Sequence, residues 1–137
     1  MRGSLQSYRK VSVEAQVQDA SPHRVIQLLF ASCLERLAKA KYGIENNDLA
    51  LKSDNLTKAV QIIQSLNQSL VMDEDNDVAE NLQNLYDYIL TNLSSAILEN
   101  NTDAIEVASD LVRTLKEGWD AIDSAEHHTT SLTAETI

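Results

Sequence analysis

The chain has 137 residues, 43% of them hydrophobic, with only 3 Gly and 1 Pro and a formal net charge of -10. That length suits one domain with a single core, and so few helix breakers favour long helices. The acidic balance argues against nucleic acid and anionic lipid as partners, and the longest apolar stretch, Val25 to Leu34 broken by Gln27 and Ser32, is far short of the roughly 18 to 20 residues that insert across a membrane.

Residues 1–20 carry Leu5, Tyr8, Val11 and Val13 on a mixed background and read as a short N-terminal helical arm that docks on the rest. Polar Gln6-Ser7-Tyr8-Arg9-Lys10 stands where a secretory signal would be apolar, so the expected location is the cytoplasm. Ser21-Pro22 is a helix start, with Ser as N-cap and Pro at the first position. Ile26, Leu29, Cys33, Leu37, Ala40 and Ile44 then recur at three- and four-residue steps on one face, until Asn46-Asn47-Asp48 supplies a turn and a new cap. Leu56, Ala59, Val60, Ile63, Leu66 and Leu70 mark a second helix that ends near Val71, before the acidic loop from Asp73 to Asp77. Asp77 and Glu80 have capping-box spacing, and Val78, Leu82, Leu85, Ile89, Leu93 and Ala96 make a third stripe that runs to about Glu99. After a turn at Asn100-Asn101-Thr102-Asp103, the residues Ile105, Ala108, Leu111, Val112, Leu115, Trp119 and Ile122 define a fourth helix. Residues 124–137 lack apolar periodicity and read as a disordered tail. The expected fold is all-α, an antiparallel up-down-up-down four-helix bundle over residues 21–123 with the short N-terminal arm.

Chemistry is not visible in this pattern. Asp73, Asp75 and Asp77 open like a calcium loop, but Val78 stands where its sharp-turn Gly belongs and Asn84 where its bidentate Glu belongs. None of the three His follows a Glu by three residues, as inward-facing di-iron ligands do. A phosphotransfer-type helical signalling domain, the rival reading, needs an exposed His partway along a helix, and His23 lies in a first turn. The lone Cys33 falls inside a core stripe. No cofactor, metal or catalytic activity is expected.

Apolar residues exceed what one core face needs. Val25 and Leu28 flank the main stripe of the first helix, Ile62 flanks that of the second, and Tyr86, Leu90 and Ile97 form an extra row on the third. Two readings are open: a broad core wrapped by the arm, or a groove that accepts an amphipathic helix from a partner.

The arm Tyr8-Arg9-Lys10-Val11-Ser12-Val13-Glu14 and the phrase Ala20-Ser21-Pro22-His23-Arg24-Val25-Ile26-Gln27-Leu28-Leu29-Phe30 resemble, in order and spacing, the FliS family of flagellar export chaperones. The phrase Asn81-Leu82-Gln83-Asn84-Leu85-Tyr86-Asp87-Tyr88-Ile89 and the late Trp119 continue the resemblance to about residue 122. It implies a cytoplasmic chaperone that binds the disordered C-terminal region of flagellin, prevents premature polymerisation and delivers the subunit to the flagellar type III export gate. Further implied partners are an export gate protein and an anti-sigma factor. The family's N-terminal apolar residue and tyrosine fall on Leu5 and Tyr8. The candidate partner-binding residues are thus Leu5, Tyr8 and Val11 in the arm, Val25 and Leu28 on the first helix, Ile62 on the second, and Tyr86 and Leu90 on the third.

Overall fold

A computed structural model describes residues 21–70 and 77–122. The arm, most of the acidic loop and the tail expected from sequence lie outside the described residues. The elements are four helices, α1 (Pro22–Glu45), α2 (Leu49–Gln68), α3 (Asp77–Glu99) and α4 (Thr102–Asp120). They form a ring in which α1 packs on α2 and α4, and α3 packs on the same two, while α1 and α3 lie diagonally across it, their backbones not closely approaching. Each helix is antiparallel to the next in sequence, giving the up-down-up-down bundle.

Local chemistry fixes the helix ends. Ser21 Oγ accepts from the Arg24 amide at 3.2 Å, and Pro22 follows where no N–H is needed. The link to α2 is residues 46–48. There Asn47 adopts φ 55°, its amide donates to the Ile44 carbonyl, and the Asp48 amide reaches back to the Gly43 carbonyl at 2.8 Å. That pair of bonds is a Schellman stop, completed with Asn in the left-handed position where Gly is usual. Asp48 is at once the N-cap of α2, accepting from the Leu51 amide at 3.1 Å. At the other link Asn100 has φ 54°, and its amide donates to the Ala96 carbonyl in a single αL stop. Asn101 then caps α4 by accepting from Ala104.

The αL stop leaves the Ile97 carbonyl without the bond a Schellman motif would give it. Lys52 of α2 supplies one: its buried Nζ donates to the Ile97 carbonyl at 2.9 Å and to Asn100 Oδ1. An ammonium at a helix C-terminus also meets the negative end of the helix dipole. The polar end of Lys52 therefore ties α2 to the α3–α4 link.

The core is the four inward stripes: Ile26, Phe30, Cys33, Leu37 and Ala40 of α1, Leu56, Ala59, Ile63 and Leu66 of α2, Tyr86, Ile89, Leu93 and Ala96 of α3, and Ile105, Ala108 and Val112 of α4. The sequence reading of α3 was one residue out at its start. Ala79 faces inward and Val78 is 59% exposed, because 79, 86, 89, 93 and 96 keep the seven-residue repeat that a bundle seam requires. Asp77 is the first residue of α3 rather than its cap, and with Glu80 it sits in the first turn, where negative charge is favourable. Helix α2 ends at Gln68 and α4 at Asp120, each two or three residues sooner than the apolar pattern suggests.

Charged side chains join neighbouring helices or successive turns at the surface. Lys41 meets Glu106 at 2.6 Å across α1 and α4, Glu35 meets Lys39 at 3.0 Å, and Asp120 is held by Lys116 at 2.6 Å and by Gln27 at 2.8 Å. Hydrogen bonds from these lysines are the leading cause that holds the carboxyls of Glu35, Glu106 and Asp120 below their ordinary values. A carboxyl whose pKa is lowered by folding adds stability above its unfolded value and loses it as pH falls through the folded value. Unfolding in urea should accordingly become easier on acidification below about pH 4.5, the usual carboxylate range. Asp120→Asn should flatten that decline; an identical acid limb in the variant would show that the contact contributes nothing.

Gly43 is the tightest point of the α1–α2 corner. A Cβ there would stand 2.7 Å from the Lys52 amide nitrogen and 3.0 Å from the Asp48 carbonyl oxygen, both backbone atoms that cannot swing aside. Gly43→Ala should destabilise the fold by about 1–3 kcal/mol in denaturant titration, despite the better helix propensity of Ala. A variant as stable as the parent would mean that the corner can open freely.

Candidate partner-binding furrow

On α1 the residues Val25, Leu28, Leu29, Ser32 and Arg36 follow the i, i+3, i+4, i+7, i+11 spacing of one helical stripe, offset from the stripe that fills the core. On α2 Lys58, Gln61, Ile62 and Ser65 do the same. The two stripes border one surface furrow. Its deeper part, about 430 Å³, is lined by Val25, Leu28, Leu29, Ala31, Ser32, Glu35 and Arg36. A more open part of about 240 Å³ is lined by Leu29, Ser32, Arg36, Lys58, Gln61, Ile62 and Ser65. Leu29, Ser32 and Arg36 belong to both, so the two parts adjoin, the deeper one on the face of α1 and the open one at the α1–α2 seam.

The structure thus brings together three of the residues singled out from sequence, Val25, Leu28 and Ile62, each half-buried. It sets Tyr86 and Leu90 elsewhere, since α3 lies across the ring from α1. Tyr86 is 4% exposed, and burial pushes its phenol up to about 12. Leu90 packs half-buried against the core, and Ile97, the third member of that row, is exposed near the α3–α4 link. Leu5, Tyr8 and Val11 lie outside the described residues. Sequence reasoning missed Arg36, Lys58, Gln61 and Ser65, and it assigned Leu29 to the core alone. The spacing that gave Val25 and Leu28 would have given Ser32 and Arg36 had polar residues been followed along the same stripe.

A second, smaller cavity of about 60 Å³ lies at the end of the bundle opposite the two short links. Ile26, Phe30, Leu66, Leu70, Leu82, Tyr86, Leu115 and Trp119 enclose it. Trp119 closes this end: its Nε1 donates to the His23 carbonyl at 2.9 Å, and the two rings stack with centroids 5.3 Å apart. His23, the one histidine among the described residues, is therefore packed flat against an indole in the first turn of α1 rather than presented from mid-helix.

Catalytic chemistry finds little to work with here. Among the described residues no group of three or more His, Cys, Asp or Glu could hold a metal ion, and no helix is long and apolar enough to cross a membrane. Cys33 is fully buried, and desolvation pushes its thiol up to about 12, so it stays protonated and weakly nucleophilic at neutral pH. What the furrow offers is half-buried apolar surface at helical spacing, with a polar rim. Because the chain has a single Cys, its environment has a clean readout. Iodoacetamide at pH 7.5 should leave the native protein unmodified while alkylating the urea-unfolded chain; equal rates would show that the α1 core is open.

Comparison with known proteins adds the family. A family model described as Flagellar protein FliS matches residues 4–126. The flagellar secretion chaperone FliS of Vibrio cholerae is 37% identical over 131 residues, 96% of each chain. FliSB of Pseudomonas aeruginosa is 40% identical over 119 residues, covering 87% of this chain and 94% of that one. FliS of Salmonella typhimurium is 36% identical over 119 residues, 86% of this chain and 88% of its own. A crystal structure of a flagellar chaperone from bacteria superposes with a TM-score of 0.67 at 17% identity, over 85% of this chain and 94% of that one, which shows the shared fold.

Proposed function

This chain belongs to the FliS family of flagellar secretion chaperones, and from that membership we propose that it binds the disordered C-terminal region of flagellin in the cytoplasm, along the α1–α2 furrow. The binding keeps flagellin from polymerising early and presents it to the flagellar type III export gate. No catalytic step is needed: a segment that forms helices only when packed is harmless while its apolar face is covered.

The observation that carries this reading is the furrow along which Val25, Leu28, Leu29 and Ile62 stand half-buried, Leu29 and Ile62 resting on the core beneath. Two antiparallel helices leave between them a groove that the side-chain ridge of a third helix fills, and apolar anchors at three- and four-residue spacing give such a helix its affinity. Coupled folding of the guest loses several kcal/mol to ordering. The complex is then specific and still able to dissociate at the gate. Leu5, Tyr8 and Val11, in the segment that leads into α1, are proposed to join the same complex, either against the guest or toward the gate protein. An anti-sigma factor is a further proposed partner.

Calorimetric titration of the full chain with the C-terminal segment of its host's flagellin should give saturable one-to-one binding and a raised melting temperature. Leu28→Asp should weaken that binding at least about tenfold, with unchanged helicity. Absence of heat and of any thermal shift at high peptide concentration would end the proposal.

A further inference from the structure

Among the described residues most positive charge is spoken for, and Arg24, outside the furrow, reaches only the neutral Gln27 at 3.4 Å. Lys39, Lys41, Arg113 and Lys116 each lie within 3.0 Å of a carboxylate, and Lys52 is buried on the end of α3. Arg36 and Lys58 differ: among the described residues neither forms an ion pair, and both line the open part of the furrow, whose lining contains no acid. The one acid in the deeper part, Glu35, is engaged by Lys39. In a protein of net charge -10, the partner-facing groove therefore holds two cations with no carboxylate bonded to either among the described residues, Glu35 attracting Arg36 only at longer range while it is bonded to Lys39.

Arg36 is also held in place. Its Nη1 donates to Asn55 Oδ1 at 3.3 Å, and Asn55, only 3% exposed, is itself fixed through Nδ2 to the Leu51 carbonyl at 2.8 Å. That contact uses one of the five donors of a guanidinium. A pre-set guanidinium loses less freedom on meeting a carboxylate than a free one, and arginines in such settings are enriched at binding hot spots. Arg36 lies eight residues along α1 from Leu28, about 12 Å at the helical rise.

We propose that Arg36 and Lys58 select for acidity in the bound segment: the furrow takes a helix whose apolar side chains seat on Val25, Leu28, Leu29 and Ile62 and whose Asp or Glu, about two turns away, lies between guanidinium and ammonium. The inference rests on the furrow being the binding site. It adds the chemistry of the guest and its register, since a carboxylate at the wrong distance from the apolar anchors would miss the cations.

The test pairs two probes with three forms of the full chain. The probes are the flagellin C-terminal segment and the same peptide with every Asp and Glu replaced by Asn and Gln; the chains are wild type, Arg36→Gln/Lys58→Gln and Leu28→Asp, each checked for helicity and melting temperature. Wild type should bind the native peptide about tenfold more tightly than the neutralised one, with the difference shrinking as salt rises. The double variant should bind both peptides alike, at the weaker affinity. Leu28→Asp should weaken binding of both peptides. If wild type does not distinguish the peptides, or the double variant keeps the wild-type preference, the inference is overturned. In either case weak binding by Leu28→Asp leaves the furrow as the site, whereas unchanged binding by Leu28→Asp removes the furrow and the inference together. The peptide comparison leaves the chaperone untouched, so the proposal stays testable even if the double variant folds poorly.

Discussion

In a ring of four helices each member buries only the arc that faces its two neighbours and the centre, about three residues in seven, and apolar surface beyond that arc must face water or something from outside. Helix α1 exceeds its arc. Ile26, Phe30, Cys33, Leu37 and Ala40 fill the inward face, while Val25, Leu28 and Leu29 stand half-buried beside it. Helix α2 repeats the arrangement with Ile62 next to buried Ile63 and Leu66. Because α1 and α2 adjoin, the two surpluses meet at one seam. An equal surplus on α3 has gone elsewhere, with Tyr86 sunk into the core and Ile97 left at the far end.

Specific contacts tie the helices together at both ends of the bundle. At one end Gly43 lets the α1 backbone approach that of α2, Asn47 and Asn100 make the reversals, and Lys52 ties the second reversal to the first. At the other, the Trp119 indole is bonded and stacked on the first turn of α1, and Gln27 reaches Asp120 alongside. Under the proposed reading, the groove is framed by these contacts among the described residues. On the proposed function, ordering would fall on the guest, and the affinity would be moderated by the flagellin segment.

Much of the fold was legible in the sequence because it is written in local signals. Ser21-Pro22, the Asn-rich turns and the three- and four-residue apolar steps fix where helices start, stop and face, and the short links leave antiparallel packing as the economical solution. The errors came where two apolar residues were adjacent. Val78 and Ala79 both suit a helix, and only the contact with the neighbouring helices decides that the smaller one turns inward. The candidate site was half legible for the same reason. Surplus apolar residues announce themselves by type, so Val25, Leu28 and Ile62 could be named, but which of them share a surface depends on the order of helices around the ring. Tyr86 and Leu90 could not be separated from the others without it. Arg36 shares the spacing of the α1 stripe, but neither it nor Lys58 stands out by type, since a cation on a helix surface is ordinary until it is known which carboxylates bond to it.

The claim on which all of this turns is that the guest lies along α1 and α2 and not elsewhere on the bundle. A photo-crosslinking residue placed at Gln61, on the furrow rim, and another at Tyr88, exposed on α3 across the ring, measure that directly in the full chain with its flagellin segment. The account predicts strong crosslinking from position 61 and background levels from position 88. Equal yields, or a product from position 88 alone, would contradict it.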